Sequence, residues 1–192
     1  DCAKRGDVVR GVQITAHHAK MFRFVVHTFL RPTEGELFGL KHKDIQVKTD
    51  PSHLEMNVRG GKTGGRVSAT MPLAVLLYQG TLNPFKGDLP DRNEYVWMPE
   101  YPNRNTAINT ARRLFNHVLD KADLLDEDRK LSPYSLRNYA IQARLRGSQG
   151  KVNLYTLAKN AGTSVDQLER FYLKNMAPTK ELIENLQTRG GD

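Results

Sequence analysis

The last third of the chain is punctuated so densely that it can fold only as a run of short helices joined by sharp turns. Ser132 precedes Pro133, a residue whose missing N–H costs nothing at the first position of a helix. Leu136, Tyr139, Ala140 and Ala143 supply an apolar stripe, and Gly147 ends this helix. Asn153 stands ready to cap a second helix, with Leu154, Leu157 and Ala158 inward and Gly162 as terminator. Ser164 with Gln167 forms the capping pair of a third, whose Leu168, Phe171 and Tyr172 share one face. Beyond Pro178, Leu182, Ile183 and Leu186 mark a terminal amphipathic helix.

Upstream the signals are more mixed. Ile14, Met21, Phe22, Val25, Val26 and Phe29 recur at helical spacing and predict a helix over 12–30, stopped by Pro32. Thr33 and Glu36 read as the capping box of a short helix carrying Leu37 and Leu40. Leu54, Met56 and Val58 alternate, as do Val67, Ala69 and Met71, which predicts two antiparallel strands. Between them lies the flexible turn Gly60-Gly61-Lys62-Thr63-Gly64-Gly65. Pro72 to Leu77 reads as helix, 80–104 as a loop around Val96-Trp97-Met98, and Ile108, Ala111, Phe115, Val118 and Ala122 as a further helix. Asp123 to Lys130 is a charged loop. The fold class is mainly α with a small antiparallel β-sheet (α+β). Residues 1–10, polar and charged, read as a linker, and 11–192 as one domain.

A chain of 192 residues with 39% hydrophobic side chains can bury one substantial core. Lys and Arg number 29 against 21 Asp and Glu, a formal charge of +8, which favours an acidic polymer as partner. The single Cys2 excludes an internal disulfide and points to a reducing, cytoplasmic compartment. No apolar run approaches the roughly 18 residues of a membrane span, and no signal peptide is visible. The start at Asp1-Cys2 rather than Met predicts a fragment of a longer chain. The histidines at 17, 18, 27, 42, 53 and 117 show neither zinc-finger nor His-Glu-x-x-His spacing, so a metal nuclease is disfavoured. Gly61-Lys62-Thr63 is not a phosphate-binding P-loop, because Met56 stands where its first glycine belongs and the context is strand–turn–strand.

Breaking a DNA phosphodiester without a metal needs a nucleophile, fixed cations for the non-bridging oxygens, a proton donor for the leaving 5′ oxygen and a base for the nucleophile's proton. Arginine suits the second role, since its rigid fork binds phosphate and stays charged. Tyrosine suits the first, because a phosphotyrosyl ester keeps the bond energy for rejoining. The chain offers Arg31 in Phe29-Leu30-Arg31-Pro32-Thr33-Glu34, Lys62 in the hairpin turn, Arg137 in Tyr134-Ser135-Leu136-Arg137, and Tyr172 after Gly162-Thr163-Ser164.

Over about residues 10 to 188 these motifs resemble the catalytic domain of the tyrosine recombinase (phage integrase) family. The resemblance implies that domain's fold and assigns roles. Arg31 and Arg137 would be the two catalytic arginines, Lys62 the hairpin lysine that protonates the leaving oxygen, and Tyr172 the nucleophile. Tyr172 lies nine residues after Thr163, the family's spacing. Tyr134 stands at the histidine position of the His-x-x-Arg motif, and Thr163 where His or Trp usually sits. The family's supporting acid, three residues after the first arginine, falls on Glu34, whereas the following Leu-Phe-Gly-Leu block aligns on Glu36. The resemblance further implies double-stranded DNA as partner, a homotetramer on two DNA sites with the last helix docked on a neighbour, and a separate N-terminal DNA-clamping domain. It implies no nucleotide cofactor, no metal, no membrane, and a nucleoid-associated location.

Three alternatives remain at this level. The departures at Tyr134 and Thr163 suit a DNA-binding module with weakened catalysis, which would give no covalent adduct. A type IB topoisomerase would relax plasmids lacking any target site. A helical protein–protein interaction domain would bind its partner without salt sensitivity.

Overall fold

The computed structural model describes residues 1–61, 64–82, 90–126, 128, 130–148, 151–170, 183, 184 and 187. In chain order the elements are α1 (Cys2–Arg5), β1 (Val8–Val9), β2 (Val12–Gln13), α2 (Ala16–Thr28), β3 (Ile45–Thr49), β4 (Ser52–Gly61), β5 (Gly64–Ala69), α3 (Leu73–Leu82), α4 (Arg104–Asp120), α5 (Pro133–Gly147), α6 (Leu154–Ala161) and α7 (Val165–Leu168), with short 3-10 turns at Leu37–Gly39 and His42–Asp44. The sheet β3-β4-β5 is antiparallel throughout, with Ile45 opposite Met56 and Val58 opposite Arg66. The α+β expectation therefore holds. No helix among the described residues is long and apolar enough to cross a membrane.

Helix α2 is the axis of the fold. Met21, Phe24 and Val25 are fully buried in the main core, with Leu54 and Met56 of β4, Ala74 of α3, Trp97 and Ala107 of α4. Each large apolar side chain so enclosed contributes about 1.5–3 kcal/mol. Phe29, just past the end of α2, belongs to a second cluster with Ile141 and Leu145 of α5, Leu157 and Ala161 of α6 and Leu168 of α7. The break between the clusters is made at Phe29 itself, which takes the left-handed conformation (φ 58°) and turns the chain out of the helix before Pro32.

Arg104 fixes the loop that closes the main core. Its buried guanidinium donates to the carbonyls of Phe38 (2.7 Å), Trp97 (2.6 Å), Met98 (3.1 Å) and Tyr101 (2.6 Å), and lies 4.0 Å from the centre of the Tyr95 ring. Trp97 is fully buried and packs on Phe24 and His17, each ring pair 5.1 Å apart. It is a core residue carried by a loop.

Five expectations need correction. Residues 1–10 are folded, not a linker: Cys2 is buried with Ile14 and Leu114, and Arg10 and Gly11, both at positive φ, turn β1 back onto β2. The helix expected from residue 12 therefore begins at Ala16. Glu36 caps nothing; it begins the Leu37–Gly39 turn and gives its carboxylate to arginines instead. Strand β5 faces the other way: Val67 is 64% exposed while Ser68 is fully buried. On α5, Tyr139 is 61% exposed, and the buried stripe runs through Arg137, Ala140, Ile141 and Leu145. Ile45–Thr49, whose short Ile-Gln-Val-Lys alternation is outside the expected strands, forms one edge of the sheet.

Candidate active site

The turn that follows α2 presents Arg31 to a carboxylate five residues on. Glu36 Oε2 accepts from the Arg31 backbone N–H at 2.8 Å, and its Oε1 accepts from the Arg31 guanidinium. The Arg31 side chain is 16% exposed and that of Glu36 1%. Burial alone would lower the pKa of Arg31, but the hydrogen bonds and charges of Glu36 and Tyr134 outweigh it and leave it raised. Burial would likewise push Glu36 up; Arg66 and Arg31 together hold its carboxyl below the ordinary range. The pair is thus ionised, and removing one partner from such a buried cluster costs about 3–5 kcal/mol.

Arg66, on the inward face of β5, closes the cluster. It grips Glu36 bidentately at 3.1 and 2.9 Å, donates from Nε to Asn160 O (3.2 Å), and reaches Ala161 O at 3.4 Å. The inward face of β5 is polar because it meets the polar end of a helix. Ser68 Oγ donates to Asn160 O (3.0 Å), and the Asn160 amide exchanges two hydrogen bonds with the backbone of Ala69 (2.7 and 2.9 Å). These contacts fasten the C-terminus of α6 to the sheet.

Gly162 then turns the chain at φ 64°, ψ 44°, with its N–H on Lys159 O at 3.2 Å. A Cβ here would approach the Arg66 Cζ to 2.5 Å, so both conformation and space require glycine. The carbonyl of Gly162 accepts from the Arg31 guanidinium, and that of Ala161 from Arg137 at 2.9 Å. Arg137, 1% exposed, also donates to Phe29 O. Its position on α5 is set by the Ser132–Ser135 capping box and by Pro133 in the first turn. The two arginines, far apart in sequence, therefore converge on consecutive carbonyls. Tyr134 lies beside both: its phenol interacts favourably with the Arg31 charge, and its ring centre is 6.0 Å from the Arg137 Cζ. Thr163 follows at once, its N–H on Ala158 O (2.9 Å), and Ser164 Oγ caps α7 by accepting from Gln167 N–H (3.2 Å).

The structure thus brings together Arg31, Arg137, Tyr134 and the turn carrying Thr163. Lys62 and Tyr172 lie outside the described residues, as do Phe171, Leu182 and Leu186. Glu34 is exposed, and it is Glu36, two residues later, that pairs with Arg31. The reason is the close approach of Gly35 to Gly60, which turns residue 36 inward: a Cβ on Gly35 would overlap the Gly60 carbonyl at 1.9 Å. Arg66 and Asn160 were missed in the sequence. The polar alternation Arg66-x-Ser68-x-Thr70 was the available signal for the first. Two guanidiniums beside a phenol concentrate positive charge at this turn.

Among the described residues, the ligand-type atoms of Cys2, Asp7 and His117 lie within 4.8 Å of one another. Arg5 already supplies the cation there, donating to both Asp7 oxygens (3.1 and 3.0 Å) and to Cys2 Sγ (3.4 Å). Hydrogen bonds from Arg5 and His117 hold Asp7 far below the ordinary carboxylate range. This group pins α1 to α4 and does not reach the arginines.

No family model and no curated protein matches the sequence. Among solved structures the chain is similar to XerA recombinase, at 18% identity and TM-score 0.54, covering 88% of this chain and 59% of that one. It is similar also to the Tn1549 transposon integrase, solved in complex with circular intermediate DNA, at 19% identity and TM-score 0.58, covering 94% and 60%. The chain therefore spans about three fifths of both structures, and it has the fold of a tyrosine recombinase catalytic domain.

Proposed function

We propose that this domain is a DNA strand transferase of the tyrosine recombinase type, which cuts and rejoins double-stranded DNA through a 3′-phosphotyrosyl intermediate. The observation that carries the reading is the convergence of Arg31 and Arg137 on the Ala161–Gly162 turn, with Tyr134 beside both. In this reading Tyr172 attacks the scissile phosphorus. Arg31 and Arg137 stabilise the charge that builds on the non-bridging oxygens, where fixed donors act most strongly. Lys62 protonates the departing 5′ oxygen. Tyr134 and Thr163 donate hydrogen bonds to the same phosphate from positions where the family uses rings that can titrate. Glu36 takes the supporting role first expected of Glu34. A second DNA strand reverses the reaction, within a homotetramer on two sites.

A nicked substrate that traps the intermediate tests this. The parent should accumulate a covalent protein–DNA adduct, and Tyr172→Phe, which removes one oxygen, should form none while binding DNA as before. A phosphotyrosyl peptide lacking Tyr172 would refute the assignment. The substitution of both histidine positions supports a second reading, a DNA-binding module with weakened catalysis; binding without any adduct would favour it.

A further inference from the structure

We infer that Arg66 is a positioning residue that sets the spacing of the two arginines, an inference that rests on the strand-transfer reading. Its guanidinium is spent on protein acceptors, and the strand-transfer reading assigns it no contact with the phosphate. The side chain is 10% exposed. Nε is engaged by Asn160 O, and the two terminal nitrogens by the Glu36 carboxylate, one of them also by Ala161 O. What Arg66 does instead is join two chains of contact. Through Glu36 it reaches Arg31, since Glu36 Oε1 accepts from both guanidiniums. Through Ala161 O it reaches Arg137, which donates to the same oxygen. The rigid planar fork fixes the distance between those two acceptors in a way that a flexible ammonium cannot. Packing locks the fork in turn, because it lies flat against Gly162, where no side chain could be accommodated. A misplacement of a charge-stabilising group by a fraction of an ångström is enough to slow a reaction that depends on preorganised donors.

The experiment uses the full chain with Arg66→Gln and Arg66→Lys. The Nε–H NMR signals of Arg31 and Arg137, assigned by their loss in the Lys variants of each, should shift or broaden in both Arg66 variants. Adduct formation on the nicked substrate should slow by about 10- to 100-fold, with DNA affinity changed less than about 2-fold, since affinity is spread over many cationic contacts and Arg66 faces Glu36. On a substrate whose scissile phosphate is a neutral methylphosphonate, parent and variant should differ by less than about 3-fold, because one of the two negative charges that the arginines jointly stabilise is removed and their relative placement matters less. A general structural defect would slow both substrates alike and would overturn the inference, as would unmoved guanidinium signals or a parental rate. If Arg66→Gln does not fold, Arg66→Lys decides, as it keeps the charge and loses only the fork. If the parent itself forms no adduct, the strand-transfer reading fails, and the guanidinium signals still judge whether Arg66 positions Arg31 and Arg137.

Discussion

Asn160 and Ala69 are paired as two strand residues would be: the Ala69 N–H donates to Asn160 Oδ1 at 2.7 Å and Asn160 Nδ2 donates to Ala69 O at 2.9 Å. A side chain at the end of α6 thus continues the hydrogen-bond ladder of β5. Asn160→Ala should lower stability by about 1–2 kcal/mol, two partly exposed hydrogen bonds at a typical net value each. Urea unfolding at constant m-value measures it, and a loss under about 0.3 kcal/mol would show that water replaces the amide without cost.

Arg31→Ala and Arg137→Ala should each slow adduct formation by roughly 10²-fold or more, the size of effect seen when one fixed charge-stabilising donor is removed. Their stabilities should diverge. Arg31→Ala leaves Glu36 still paired with Arg66, whereas Arg137→Ala leaves the Phe29 carbonyl without its buried donor. Single-turnover cleavage with parallel thermal melts separates the two effects. A variant that cleaves at the parental rate removes that arginine from the site.

DNA affinity should fall by at least about 10²-fold between about 50 and about 200 mM salt, as counterions released by several phosphate contacts are returned. The formal charge of +8 motivates this. Cleavage should persist in the presence of a chelator. A flat salt response would shift the reading toward a protein-binding domain.

Acid should destabilise the fold through His17. Its pKa is pushed down to about 4, first by burial and then by the charges of His18, Lys20 and His42. A group whose folded pKa lies below its unfolded value of 6.5 binds more protons when unfolded, so stability rises with pH across that window. The fold should keep the full contribution above pH 6.5 and lose it as pH falls toward 4. After allowance for partial exposure, the loss is about 1–2 kcal/mol. His17→Gln should flatten the denaturation midpoint between those pH values; an unchanged slope would assign it to other groups.

Helix ends were the most legible part of the sequence. Ser132, Asn153, Gly162 and Ser164 all cap or terminate helices as their types require, because a capping bond is local and needs no knowledge of the fold. Burial faces were less legible. The apolar stripe expected on α5 included Tyr139, yet the helix turns Arg137 inward, since backbone carbonyls at Phe29 and Ala161 await its donors. The same holds for β5, where Val67 faces out so that Arg66 and Ser68 can meet the end of α6. Hydrophobic pattern assumes an oily interior, and it misleads wherever buried side chains meet backbone carbonyls. The motifs singled out Arg31 and Arg137, which the fold brings to one turn, whereas the placing of Glu36 and not Glu34 beside Arg31 depended on the contact between Gly35 and Gly60, which joins distant segments.

The carbonyls at the end of α6 have a consequence for the unliganded site. Three guanidiniums, those of Arg31, Arg66 and Arg137, crowd around Asn160, Ala161 and Gly162. Left to themselves, three like charges in a poorly hydrated recess would drive one another apart. The Glu36 carboxylate cancels one, and a helix C-terminus carries about half a negative charge, so the recess keeps a surplus of about one and a half positive charges. That surplus is close in size to the single negative charge of a phosphodiester. The helix end thus acts as a resident counterion, holding the cations assembled while leaving them a net positive charge.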